Sequence, residues 1–210
     1  MQDLKPLHDA VLKGDAKTAK SVTEQAIKDG MEPMKLIQDY MMPAMREVGQ
    51  RFECNEYFVP ELLLSARAMK GALELLRPLL AKGGAQPSGR IVVGTVKGDL
   101  HDIGKNLLVA MLEGDGFEVT DIGVNVTPEQ FVAAVKRKQP QILALSALLT
   151  TTMSAMKDTI EALKKAGIRD QVKVLVGGAP ITQKFTDEIG ADGYAENAAS
   201  APTLARQMLA

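Results

Sequence analysis

The sequence predicts a two-part α/β protein: four helices that form a bundle, followed by a five-stranded, doubly wound parallel sheet. Three observations predict it. Apolar residues recur at helical spacing throughout residues 5–82, the segment Gly83-Gly84-Ala85-Gln86-Pro87-Ser88-Gly89 has the composition of a linker, and short apolar strands begin only after it. The expected division is a helical domain over 1–84, a linker at 85–89 and an α/β domain over 90–210.

Leu4–Lys13 and Ala16–Asp29 read as two short helices, separated by Gly14-Asp15 and closed by Gly30. A third starts near Glu32, with Pro33 suited to its first turn, and sets Ile37, Met41, Met45, Val48 and Phe52 on one face. Pro43 falls inside that pattern and lacks the N–H that a helix interior needs, so a kink or a reset is expected there. The fourth helix starts at Pro60 and carries Leu62, Ala66, Met69, Leu73, Leu76 and Leu80 at spacings of three or four.

Strands are expected near 90–96, 117–122, 141–147, 172–177 and 192–195, with helical spacing in 106–113, 128–138 and 153–166 between them. The third and fourth strands are apolar almost throughout, as strands covered on both faces are. This rhythm specifies a flavodoxin/Rossmann-like domain, whose ligands bind at the C-terminal ends of the strands.

Composition narrows the function classes. A net charge of −1 with scattered Lys and Arg offers no basic stripe for nucleic acid or anionic lipid, and the absence of Trp removes the best stacking platform for single strands. No apolar run is long enough to span a membrane, and Met1-Gln2-Asp3-Leu4-Lys5 lacks the layout of a signal peptide, so a cytoplasmic protein is expected. The single cysteine, Cys54, excludes an internal disulfide and any multi-cysteine metal site. The 11 methionines read as adaptable core filler.

One of only two histidines, His101, lies in Gly98-Asp99-Leu100-His101-Asp102-Ile103-Gly104, where the first strand gives way to a helix. An Asp two residues before a His can hold one ring nitrogen while the other faces a metal. Gly104 removes a side chain from the first helical turn, which leaves room for a bulky group. The other histidine, His8, has no carboxylate at ligand-orienting spacing and reads as a surface or packing residue.

The spacing Asp99-x-His101-x-x-Gly104 resembles the signature of cobalamin-binding domains in which a protein His replaces the cofactor's own base beneath cobalt. Two further stretches resemble that family's other signatures, in order: Leu145-Ser146-Ala147-Leu148-Leu149-Thr150-Thr151-Thr152-Met153, and Val176-Gly177-Gly178-Ala179-Pro180. Met42–Phe52 with Glu56–Leu62 resembles the helical cap that precedes the corrinoid domain in methionine synthase and in the small methyltransferase corrinoid proteins. The resemblance covers nearly the whole chain.

It implies cobalamin as cofactor, bound base-off with His101 as lower axial cobalt ligand, Asp99 on the second imidazole nitrogen and the hydroxyl of Thr152 completing a proton-sharing chain, with Thr151 as the nearby fallback. Gly98, Leu100, Asp102 and Gly104 would flank the ligand, while Ser146, Leu148, Thr150, Gly177 and Gly178 would line the pocket for the nucleotide tail. Phe52 and Val59, the latter where the family carries Leu, would shield the upper corrin face, and Gln38 and Ala198 match further corrinoid-contacting positions.

The function implied is that of a methyl carrier cycling between Co(I) and methyl-Co(III), a carrier subunit and not a complete catalyst alone. Its implied partners are a substrate:corrinoid methyltransferase, a corrinoid methyltransferase acting on a thiol or tetrahydrofolate, and a reductive activase. The alternatives are the cobalamin-binding subunit of an adenosylcobalamin-dependent mutase, which shares the His signature, and a cobalamin sensor or cofactor-free flavodoxin-like domain.

Overall fold

The structure, a computed structural model, describes residues 4–83 and 87–210. Residues 85 and 86 of the expected linker, and Met1-Gln2-Asp3, lie outside the described residues. The chain divides into two compact units, Met1–Pro87 with Ala110–Gly116, and Ser88–Val109 with Phe117–Ala210.

In the helical unit, α1 (Lys5–Leu12) and α2 (Ala16–Lys28) flank Gly14-Asp15, and the Asp15 carboxylate caps α2 by accepting from the Thr18 N–H at 3.0 Å. The third expected helix is three pieces: α3 (Pro33–Leu36), a π-helical turn (Ile37–Met41) and α4 (Met42–Glu53). Pro43 explains the reset. It cannot donate a helical bond, and the chain meets it with a wider turn, closed by the Met42 N–H on the Ile37 carbonyl, so that Pro43 falls in the first turn of α4.

The last helix, α5, runs Val59–Gly83, one residue earlier than the sequence suggests. Leu7, Leu36, Met41, Met45, Leu62, Met69 and Leu76 are fully buried in this unit's core. His8 Nε2 lies 3.5 Å from Glu47 of α4 and its Nδ1 3.3 Å from the adjacent Asp9; the first of these neighbours is brought in by the packing of α1 against α4.

In the second unit, β1 (Arg90–Thr95), β2 (Glu118–Asp121), β3 (Ile142–Ser146), β4 (Lys173–Gly177) and β5 (Gly193–Ala195) form one parallel sheet in the order β2-β1-β3-β4-β5. The central strands are almost wholly buried, whereas the edge strand β2 is half-exposed. Helices α6 (Ile103–Gly114), α7 (Pro128–Lys138) and α8 (Ser154–Lys165) join the first four strands. Two helices escape the periodicity reading, α9 (Gln183–Ile189) and α10 (Ala201–Leu209), being too short to display a pattern.

Chain order reverses direction across the sheet between β1 and β3, which are neighbours. The segments following these two strands therefore open onto one crevice, the switch point at which doubly wound sheets take ligands.

Candidate functional site: a carboxylate-held imidazole at the switch point

Asp99, three residues beyond the bridge residue Val96 at the end of β1, is fully buried. A buried carboxylate is stable only when its oxygens are satisfied. Oδ1 accepts from the His101 N–H at 3.0 Å and from His101 Nδ1 at 2.7 Å. Oδ2 accepts from the Leu148 N–H at 2.7 Å, the Leu149 N–H at 3.3 Å and the Thr152 hydroxyl at 2.8 Å, all beyond β3.

Burial pushes the Asp99 carboxyl up, but the hydrogen bonds from Leu148, His101 and Thr152 outweigh it and hold the group well below the usual carboxylate range. It is therefore ionised at neutral pH and can only accept, which assigns the proton between the two side chains to His101 Nδ1. Thr152 Oγ1 also lies 2.9 Å from the Leu149 carbonyl, and its single proton serves the charged acceptor.

The neutral imidazole is thereby limited to one tautomer, the one whose lone pair is on Nε2. The side chain is half-exposed, and Nε2 has no protein partner among the described residues. The backbone fixes the ring's origin as well, because the Thr95 hydroxyl donates to the His101 carbonyl at 2.9 Å.

The surroundings fit a large, mostly apolar macrocycle. Leu100 and Ile103 are 71% and 69% exposed, and Leu148 and Leu149 add apolar surface from the far side of the switch point. Solvent-facing leucines and isoleucines grouped around a single metal-competent nitrogen are what a flat hydrophobic ligand would cover. Beside them Gly104, in the first turn of α6, has nothing within 4 Å of where a Cβ would stand.

Gly178, directly after β4, adopts φ +133°, and a Cβ there would overlap the Ala147 carbonyl oxygen. The backbone after β4 therefore lies against the backbone that precedes Leu148. Gly177 ends β4, and a Cβ on it would sit 3.2 Å from the Ala195 carbonyl oxygen.

Of the sequence-predicted residues, the fold brings Asp99, His101, Thr152 and the Leu148 backbone into one hydrogen-bonded group. Gly98, Leu100, Asp102 and Gly104 flank it in the chain, and Asp102 accepts from the Asn106 amide at 3.1 Å. Ser146 ends β3 half-buried, and Thr150 and Thr151 are exposed; none of the three hydroxyls enters the Asp99 network. Ala198 is half-buried after β5, next to Asn197, whose Oδ1 accepts from the Ala199 and Ser200 N–H groups. In the helical unit, Phe52 is half-buried near the end of α4, Val59 is 38% exposed at the start of α5, and Gln38 is exposed in the π turn.

Sequence reasoning missed the Leu149 N–H, Thr95, Asn125, Lys105 and Asp121. Only Asn125 left a local signal, an Asn-containing turn between a strand and the Thr127-Pro128 helix start.

Residues 89–203 match a family model described as B12 binding domain, and residues 4–77 match a second model of the same description. The chain is 42% identical over 203 residues to trimethylamine corrinoid protein 1 of Methanosarcina acetivorans, covering 96% of this chain and 94% of the relative. It is 43% identical over 208 residues to the dimethylamine corrinoid protein of Methanosarcina barkeri, covering 99% and 97%. The crystal structure of a methanol:cobalamin methyltransferase complex from Methanosarcina barkeri contains a chain that superposes with a TM-score of 0.86 at 32% identity, covering 100% of this chain and 81% of that one.

Proposed function

This chain belongs to the B12-binding domain family, and from that membership we propose that it is a corrinoid methyl carrier that binds cobalamin with His101 beneath the metal. The observation that carries the reading is the Asp99-held imidazole, in a loop whose neighbours Leu100 and Ile103 are exposed. When bound, the corrinoid supplies a cobalt centre that accepts a methyl group from one partner and yields it to another.

The protein's own residues bind, orient and exclude water. His101 Nε2 would hold the cobalt. Asp99 would keep the proton on Nδ1 and fix the ring's orientation, as carboxylates behind metal-bound histidines do. The 2.7 Å contact with Asp99 suits the Nδ1–H of His101 whether or not Nε2 holds cobalt. Thr152 keeps Asp99 solvated by hydrogen bonds in either state.

Leu100, Ile103, Leu148 and Leu149 would keep water from the lower face, and Gly104 leaves the space beside them open. Gly98, Asp102, Ser146, Thr150, Gly177, Gly178 and Ala198 are proposed to contact the cofactor from the strand ends, and Gln38, Phe52 and Val59 from the helical unit.

No helix among the described residues is long and apolar enough to cross a membrane. A substrate-specific methyltransferase is the first proposed partner, since the 32%-identical structure is of a chain complexed with one. A second methyltransferase acting on a thiol or tetrahydrofolate, and a reductive activase, complete the proposed cycle. Relatives named for trimethylamine and dimethylamine make methylated amines the first donors to try. The mutase alternative is not favoured, because relatives spanning nearly the whole chain are named corrinoid proteins.

The test is to load the protein with cobalamin, reduce it, and follow the visible spectrum while methyltransferase and donor pairs are added. Rapid methylation with one pair is expected. A protein that takes up no corrinoid, or that no pair methylates, refutes the reading.

A further inference from the structure

Residues 98–102, which carry His101, bridge two anchors, and both anchors are set on the single turn Asp121–Asn125 that follows β2. At the first, Asn125 Oδ1 accepts from the Gly98 N–H at 2.8 Å, and the Asn125 N–H donates to the Asp99 carbonyl at 2.9 Å. At the second, Lys105 in the first turn of α6 pairs with Asp121. The other Asp121 oxygen accepts from the Gly123 N–H at 2.9 Å, which closes the turn on itself.

Both anchors are costly in isolation. Asn125 holds φ +53°, a left-handed conformation that Asn adopts more readily than most residues yet still at a penalty. Lys105 is 3% exposed, and its ammonium sits near the N-terminus of a helix, where backbone dipoles disfavour a cation. Asp121 ends β2, the half-exposed edge strand. What the two anchors share is the segment between them.

We propose that Asn125 is a positioning residue for the metal-facing imidazole: by gripping Gly98 and Asp99 from β2's side, it sets the direction of His101 Nε2, and the Lys105–Asp121 pair holds the other end. The Asp99 side chain takes donors from the segment beyond β3 and the His101 carbonyl takes the Thr95 hydroxyl, but the Gly98 N–H is held by the Asn125 side chain, so without that acceptor the segment can rotate about Gly98, itself at φ +84°. This inference rests on His101 being the cobalt ligand proposed above.

The experiment is electron paramagnetic resonance of the cobalamin-loaded protein in the cobalt(II) state, where an axial imidazole splits the signal through its nitrogen. Asn125→Gly keeps the left-handed backbone and removes only the acceptor. Its ratio of imidazole-bound to imidazole-free cobalt should fall about fivefold, the factor that one lost hydrogen bond is worth. Asn125→Asp keeps both acceptor and conformation and should restore the ratio.

A purely structural role would lower the melting temperature of the apoprotein and leave the ratio in the loaded protein at its wild-type value. That result, or a failure of Asn125→Asp to recover what Asn125→Gly loses, overturns the proposal. Lys105→Met tests the second anchor by the same measurement, with the same fall expected; an unchanged ratio counts against it. Nitrogen splitting that persists in His101→Ala would instead remove the ligand assignment itself, separately from the role of Asn125.

Discussion

After β1 the backbone is held by side chains: Asp99 draws in two donors from His101 and three from the segment beyond β3. After β4 it is held by the lack of one, because Gly178 lets two backbones meet where any Cβ would overlap the Ala147 carbonyl. A network of several bonds degrades step by step as members are removed, whereas a steric approach either exists or does not. The polar loop can therefore be tuned, and the glycine loop cannot.

The largest effect expected from this contrast is at Gly178. Gly178→Ala adds a backbone clash to a positive φ and should destabilise the sheet unit by about 3 kcal/mol or more, read from its denaturant midpoint. An unchanged midpoint would break the comparison outright.

Next comes Asp99→Asn, which turns an acceptor-only group into one that presents its own donors to donors, at a cost of about 2 kcal/mol. It also bears on pH. The Asp99 carboxyl titrates below its ordinary value of 3.8 in the folded chain, so its contribution is fully present above that value and is lost as pH falls toward the folded one. Acid unfolding curves should show wild type losing stability in that window, and the Asp99→Asn slope there should be shallower.

A smaller effect follows from Thr152→Val, which deletes one of the donors on Asp99 and should cost about 1 kcal/mol, while Thr152→Ser should stay near wild type. A loss in Thr152→Ser with Thr152→Val at wild type would show that the methyl group, and not the hydroxyl, is what position 152 supplies.

Gly104→Ala sharpens the comparison by affecting the fold least. Nothing occupies the space its Cβ would enter, and alanine suits a helix better, so the apoprotein should be unchanged or gain up to about 0.5 kcal/mol. Corrinoid affinity measured by titration calorimetry should nevertheless fall. An undiminished affinity would mean that Gly104 does not border the ligand.

How far each feature could be read depends on its range along the chain. The Asp99–His101 pair spans two residues, and its 2.7 Å contact is set by a short loop after an apolar strand, so residue types and spacing suffice to foresee it. Thr152 lies 53 residues from Asp99 and was reached through the resemblance alone. The Leu148 and Leu149 amides carry no signal, since any residue offers the same N–H group.

The same distinction runs through the helices. Long amphipathic segments such as α5 announce themselves, whereas α9 and α10 are too short to show a period. Pro43 foretold a break in its helix but not its form as a π turn, because several local geometries remove the same missing bond. His8 acquired Glu47 as a neighbour only by the packing of α1 against α4.

By itself the sequence determined the order of the strands and of the longer helices, the strand-end location of the histidine, and the identity of the carboxylate behind it, all being properties of neighbours a few bonds apart. Tertiary structure alone decided which distant groups converge on Asp99, that Asn125 and Asp121 meet Gly98 and Lys105 on either side of the histidine, and how close two strand-end backbones come at Gly178. The physical reason is that hydrogen bonds and steric contacts act over a few ångströms of space, and only the side-by-side pairing of β1 with β2 and β3 brings residues dozens of positions apart within that reach.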